Sequence, residues 1–266
     1  MAQKKAVHFL AIMLVAFALP TSLYGARGET TATKTLPVER SSVSVPRSKP
    51  TPAALPNVRQ NPTQGIATNR KPVIVAEGDS ISKYWGGNYT GIFKRSRPDI
   101  EFHGLAKGGS TIKSITARRD AVMALNPHVV SVFVGANDLG KYDDPSKFAN
   151  ALFAYAEPLK AAGIKVVFAT NLARNVPTSP AFNFKHNRNR KEVSRLLRQA
   201  VGTKIDAVVD FAADPTMGTD AATGNRTLFS DGLHPTDSTH GVGEGGQRKL
   251  ARIYTPVMNA VIDNLP

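Results

Sequence analysis

From Lys71 onward, short apolar runs alternate with longer stretches of mixed polarity. The runs Pro72–Ala76, Ile100–Leu105, His128–Val134, Ile164–Thr170 and Asp206–Phe211 are rich in Val, Ile and Phe and read as strands. Between them lie Ser114–Leu125, Pro145–Ala162 with Phe148, Leu152, Tyr155 and Leu159 at helical spacing, and Arg188–Ala200 with Val193, Leu196 and Leu197. A last helix is predicted from about Gly246 to Ile262. Strand and helix alternate throughout, which predicts an α/β sandwich around a mostly parallel sheet.

A parallel sheet delivers the carboxyl ends of its strands to one edge, where ligands bind. Ser80 follows the first run, Gly108-Gly109-Ser110 the second and Gly135-Ala136-Asn137-Asp138 the third. A single glycine after a strand is ordinarily a turn. Polar, glycine-containing turns at three successive strand ends mark that rim as a candidate site. A serine there needs a base to take its proton and donors to receive the charge that develops on the attacked oxygen. Ser230-Asp231-Gly232-Leu233-His234-Pro235 offers the base, with an Asp three residues before a His in a loop ahead of the final helix. The carboxylate can accept from Nδ1 of that imidazole and leave Nε2 for the serine. Taken alone, the same hexapeptide is a surface turn.

The N-terminal stretch has a different pattern. Lys4 and Lys5 precede an apolar run from Ala6 to Leu19 broken only by His8, then Pro20 and small residues near Gly25 and Ala26. This predicts a secretory signal peptide over residues 1–26. The run is shorter than the ~20 residues needed to span a bilayer, so an uncleaved anchor is the lesser alternative. Residues 27–70 are rich in Pro, Thr, Ser and Ala, with no sustained apolar period, and predict a disordered linker. Residues 71–266 then form the folded domain, and the location expected is periplasmic or extracellular.

Charge changes the picture of the tail. The 266 residues carry +14, and residues 1–70 hold nine Lys/Arg against two Asp/Glu, half of that net charge in about a quarter of the length. Such an arm is a solvated spacer or associates electrostatically with an anionic envelope surface. Nucleic acid is a poor partner, because no binding module or basic–aromatic motif is present. The chain has no cysteine, which excludes disulfides and thiolate metal sites.

Gly78-Asp79-Ser80-Ile81, Gly109, Gly135-Ala136-Asn137-Asp138 and Asp231-Gly232-Leu233-His234-Pro235 resemble, in order and separation, the sequence blocks of the SGNH (GDSL-type) hydrolases. The resemblance spans about residues 72 to 264. It implies a three-layer α/β/α sandwich with a five-stranded, flavodoxin-like parallel sheet. It also implies Ser80 as nucleophile, an oxyanion hole from the Ser80 amide, Gly109 and Asn137, and Asp231 and His234 completing the triad. Isoleucine at 81 replaces the leucine of the short family name. The pair Gly108-Gly109 leaves the oxyanion glycine open by one residue, with Gly109 preferred because Ala106–Thr111 then matches the family's small-residue, glycine, polar pattern.

The activity implied is a secreted serine esterase working through an acyl-enzyme, with no metal or organic cofactor. Short acyl groups are expected because no long continuous apolar lid is present, with acetyl esters on carbohydrate among the candidates. The alternatives are an O-acyltransferase on an envelope polysaccharide, a lysophospholipase or thioesterase, and a non-catalytic glycan-binding domain. The segments Lys83–Arg97, with Tyr84, Trp85, Tyr89 and Phe93, and Leu172–Asn189, with Phe182, Phe184 and His186, are expected to wall the cleft. Gly241–Gly246 spells G-x-G-x-x-G without a strand leading into it and is read as a loop. Neither an H-E-x-x-H nor a phosphate-loop motif occurs, and His103, His128, His186 and His240 lack ligand-like spacing.

Overall fold

The computed structural model describes residues 70–83, 85–237 and 244–266. The expected signal peptide and linker, Tyr84 and His240 lie outside the described residues.

Five strands form one sheet, in chain order β1 (Val73–Gly78), β2 (Glu101–Gly104), β3 (Val129–Phe133), β4 (Lys165–Ala169) and β5 (Ala207–Val209). Their spatial order is β2-β1-β3-β4-β5, and every pairing is parallel. After β2 the chain crosses back over β1 to lay down β3, so strand order reverses at the β1/β3 boundary. Ligands of open parallel sheets bind outside the carboxyl ends at such a switch point.

Side chains alternate between two faces along the inner strands. Ile74, Val129, Phe133, Val167 and Val209 pack on one side against Phe93 of α1 (Tyr89–Ser96) and Leu250, Tyr254 and Met258 of α6 (Gly246–Asp263). Val75, Val130, Val132, Val166 and Phe168 pack on the other. There they meet Ile115 of α2 (Ile112–Thr116), Val122 of α3 (Arg119–Met123), Leu152, Tyr155 and Leu159 of α4 (Pro145–Ala161), and Val193 and Leu197 of α5 (Pro180–Gln199). This is the three-layer α/β/α sandwich.

Three elements differ from the pattern-based expectation, each for a physical reason. Ser114–Leu125 is two short helices, broken near Arg118, whose side chain turns inward to the buried Glu77. Helix α5 begins eight residues before Arg188, because its first half buries Asn183, His186, Asn189 and Arg190 where a helix usually buries apolar groups. Helix α1 lies inside the expected cleft wall, and its Tyr89 and Phe93 are core residues, 2% and 0% exposed. Trp85, at 48%, and Phe184, at 74%, do face solvent. No helix of the described residues is long and apolar enough to cross a membrane.

Candidate active site

The site begins where β1 ends. Gly78 has φ +155°, and a Cβ there would fall 2.3 Å from the Phe133 carbonyl, so only glycine keeps β1 this close to β3. The Asp79 amide then donates to Phe133 O at 3.3 Å. The Asp79 carboxylate caps the turn by accepting from the Ile81 amide at 3.0 Å. The result lifts Ser80 onto the sheet edge, half-buried between the buried Asp79 and Ile81.

His234 reaches the serine from the opposite end of the chain. Ser80 Oγ lies 2.8 Å from His234 Nε2, and His234 Nδ1 lies 2.7 Å from Asp231 Oδ2. The loop between the acid and the base is over-determined. Asp231 Oδ1 accepts from the Leu233 amide at 2.9 Å and the His234 amide at 2.8 Å, so the carboxylate is fixed before it meets the ring. Gly232 has φ +83° and no room for a Cβ, which would sit 2.2 Å from Asn175 O. The Asn175 amide donates to Gly232 O at 2.8 Å and docks this loop on the β4–α5 connection. Burial raises the Asp231 pKa, but the His234 amide, the imidazole and the Leu233 amide outweigh it, and the net shift is downward. An ionised Asp231 accepts a hydrogen bond from Nδ1–H, which fixes the proton there and leaves the Nε2 lone pair directed at Ser80.

The turns after β2 and β3 face the same point. Lys107 N donates to Gly78 O at 3.1 Å, which brings the Gly108-Gly109 turn beside the strand carrying the serine. Asn137 Nδ2 donates one proton to Ser110 O at 3.0 Å, leaving its second for a ligand. Asp138 accepts from the Ile112 amide, 3.2 Å to Oδ1 and 3.3 Å to Oδ2, tying the third turn to the second. Among the described residues the amides of Ser80, Gly108 and Gly109 have no protein acceptor. These N–H groups and the Asn137 amide are oxyanion-hole donors in kind.

Glu77 and Arg118, which the sequence pattern did not single out, hold these parts together. Glu77, 1% exposed on β1, receives Arg118 Nε at 2.9 Å and Nη2 at 2.5 Å. The same guanidinium reaches Ser110 Oγ at 3.0 Å, clamping the second turn to the nucleophile strand. Burial pushes the Asp79 carboxyl up to about 7 against the Ile81 and Ala136 amides, and burial pushes Asp138 up to about 6 against the Ile112 amide. No spacing rule marks Arg118, because its partner lies 41 residues away. A cavity of about 490 Å³ lined by Asn150, Phe153, Glu157, Lys160 and Lys204 lies elsewhere, on α4, and holds no comparable constellation.

A serine, an imidazole and a carboxylate in hydrogen-bonded line at the switch point of a parallel sheet define the class of a serine hydrolase. The model of the GDSL-like Lipase/Acylhydrolase family matches residues 76–242, and the chain belongs to that family of ester-cleaving serine hydrolases. Among solved structures it is similar to a GDSL-like lipase from Bacteroides thetaiotaomicron, at 21% identity and a TM-score of 0.55 over 72% of this chain and 87% of that one. It is also similar to a psychrotrophic esterase from Pseudoalteromonas sp., with 17% identity, a TM-score of 0.52, and 73% and 100% of the two chains covered. A variant of an acetyl-xylooligosaccharide esterase from Geobacillus aligns at 16% identity with a TM-score of 0.51, over 74% and 96% of the two chains. At these identities the likeness is one of fold. No curated protein matches the chain.

Proposed function

We propose that this protein is an exported serine esterase that removes short acyl groups, acetyl esters on carbohydrate above all, through an acyl-enzyme on Ser80. The observation that carries the reading is the unbroken line from Ser80 Oγ through His234 to Asp231, at 2.8 and 2.7 Å. In the first step Ser80 Oγ attacks the ester carbonyl carbon as His234 Nε2 takes its proton, and Asp231 stabilises the imidazolium. The Ser80 and Gly109 amides and the Asn137 side chain receive the oxyanion. His234 then returns the proton to the departing alcohol. Water, activated by the same imidazole, releases the acyl group and restores Ser80.

Two features support a short acyl group. The large hydrophobic side chains exposed among the described residues are Trp85, Phe184 and Val201, one on each of three separate segments, too few to seat a long chain. Two of the aromatic groups of the expected walls, Tyr89 and Phe93, are committed to the core. Export and any association of the basic tail with an envelope surface rest on the N-terminal sequence pattern alone.

A panel of p-nitrophenyl esters of rising chain length, run beside acetylated xylan and a lysophospholipid, tests the reading. Turnover should be highest on acetyl esters and fall with chain length, and acetate should be freed from xylan. Preference for long acyl chains or for the lysophospholipid would replace the proposed substrate class.

A further inference from the structure

One side chain beside the catalytic line is positioned with more care than hydrolysis of a neutral ester requires. Arg174 lies on the β4–α5 connection, and Asn187 grips its backbone from both sides. Arg174 N donates to Asn187 Oδ1 at 2.9 Å, and Asn187 Nδ2 donates to Arg174 O at 2.8 Å. The guanidinium lies 4.8 Å above the Phe182 ring, and its Nε donates to Asn183 Oδ1 at 3.0 Å. Asn183 is itself held by donating to Val176 O at 2.7 Å. Nη1 reaches Ala136 O at 3.4 Å, immediately before Asn137. Neighbouring residues of α5 thus aim one cation at the turn that carries a candidate oxyanion donor.

Among the described residues this cation lacks a counter-ion. Three of the four arginines of α5 are neutralised, Arg190 by Asp220, Arg195 by Glu192 and Arg198 by Asp210, and the fourth, Arg188, is exposed and bonds to Asn189 Oδ1 and the Asp143 carbonyl. Among the described residues no carboxylate forms an ion pair with Arg174, and Nη2 has no protein acceptor. Half-burying a fixed charge in this way opposes stability unless something pairs with it. Burial lowers the Arg174 pKa while the nearby Asp231 raises it, but Asp231 is committed to His234. Three further cations without a carboxylate partner among the described residues surround the same rim. Lys83 follows Ser80 by three residues, Lys107 precedes Gly109 by two, and Arg226 Nη1 donates to Ser230 O at 2.7 Å, next to Asp231.

The geometry points to an anion subsite at Arg174 that takes a carboxylate carried on the alcohol portion of the ester, making the substrate an acylated acidic glycan built from uronate-type sugars. This assignment rests on the esterase reading for its chemistry and on Arg174 alone for its anion. With Nε engaged by Asn183, the end-on edge formed by Nη1 and Nη2 offers two parallel N–H groups, which match a planar carboxylate. Lys83, Lys107 and Arg226 raise the local concentration of a polyanion without fixing its position.

Kinetics and binding test the subsite separately. The full-length protein is assayed on 3- and 4-acetoxybenzoate and on their neutral methyl esters. Arg174→Gln should lower the anionic-to-neutral ratio of kcat/KM by about tenfold, the value of one charge-assisted contact. Arg174→Lys should restore part of that ratio, and added salt should shrink it in the wild type. In the second arm, Ser80→Ala protein is titrated calorimetrically with trigalacturonate and xylotriose. Trigalacturonate should bind more tightly, and adding Arg174→Gln should remove the difference. Equal losses on both esters in Arg174→Gln, or trigalacturonate binding unchanged by it, would reduce Arg174 to a loop brace and overturn the subsite. Displacement of trigalacturonate by lower concentrations of inorganic phosphate would overturn the carboxylate assignment. Absence of wild-type ester hydrolysis would sink the esterase reading, and the titration would still decide whether Arg174 binds a carboxylate.

Discussion

Asp79 sits one residue before the nucleophile, 1% exposed, and performs a structural task that depends on pH. Its carboxyl is pushed up to about 7 from 3.8 by burial, with the Asp138 charge adding to the rise and the Ile81 and Ala136 amides opposing it. A carboxyl whose folded pKa is raised binds more protons folded than unfolded. Its contribution to stability is therefore fully present below about 4 and lost as pH climbs through about 7. Asp138, raised to about 6, acts in the same direction over a lower window. Asp79→Asn keeps the oxygen that receives the Ile81 amide and removes the ionisation. The variant should gain thermal stability relative to wild type between pH 5 and pH 8, as read by paired melting curves. A difference that stays constant with pH would mean Asp79 is not the titrating group. Gly78 is equally constrained at this scale, since any side chain there meets the Phe133 carbonyl. The residues around Ser80 were legible in the sequence because chemistry demands particular residue types at particular offsets from a strand end. Arg118 and Arg174 were not, because what singles them out is whom they meet, and both meet partners outside their own motif.

At the scale of elements, the clamp between β1 and the turn after β2 decides how well the donors are aimed. Glu77 is fully buried and Arg118 partly buried, with side chains 0% and 19% exposed. Removing one partner of such a pair leaves an uncompensated buried charge, at a cost of roughly 3–5 kcal/mol. Arg118→Ala should therefore lower stability by that amount in denaturant titration. The double variant Glu77→Gln, Arg118→Met should be more stable than the single one, because it leaves no charge behind. A double variant as unstable as Arg118→Ala would show that the loss comes from packing and not from the orphaned carboxylate. The inner strands β1, β3 and β4 were legible as Val- and Phe-rich runs buried on both faces, and α4 as a clean apolar period. The first half of α5 was not, because Asn183, His186, Asn189 and Arg190 occupy its inward positions and bond to loop carbonyls and Asp220 where apolar side chains would ordinarily pack. The same polar face holds Arg174, so the part of the helix hidden from a hydrophobic pattern is the part that builds the site wall.

Across the whole molecule, all residues assigned to the reaction fall between Ser80 and His234, inside the 76–242 span matched by the family model. Deleting residues 27–70 should accordingly leave kcat/KM on a small soluble ester nearly unchanged. If the seven Lys/Arg of residues 27–70 concentrate the enzyme on an anionic surface, the same deletion should weaken binding to acidic polysaccharide at low salt. Added salt should then erase the difference between the two forms. Equal binding by both forms at low ionic strength would make the arm a spacer. A large loss of small-ester turnover would place part of the working enzyme before Arg70.

Covalent labelling of the nucleophile tests the account most directly, because it reads the activation of Ser80 without requiring the natural substrate. Full-length protein treated with a fluorophosphonate should gain one adduct by intact mass, mapped by fragmentation to Ser80, since the Ser80–His234 contact at 2.8 Å supplies the base that makes this hydroxyl reactive. Ser80→Ala should gain none, and His234→Ala should label far more slowly while melting at a similar temperature. Labelling of the folded protein at another residue, or undiminished labelling of Ser80→Ala, would contradict the account.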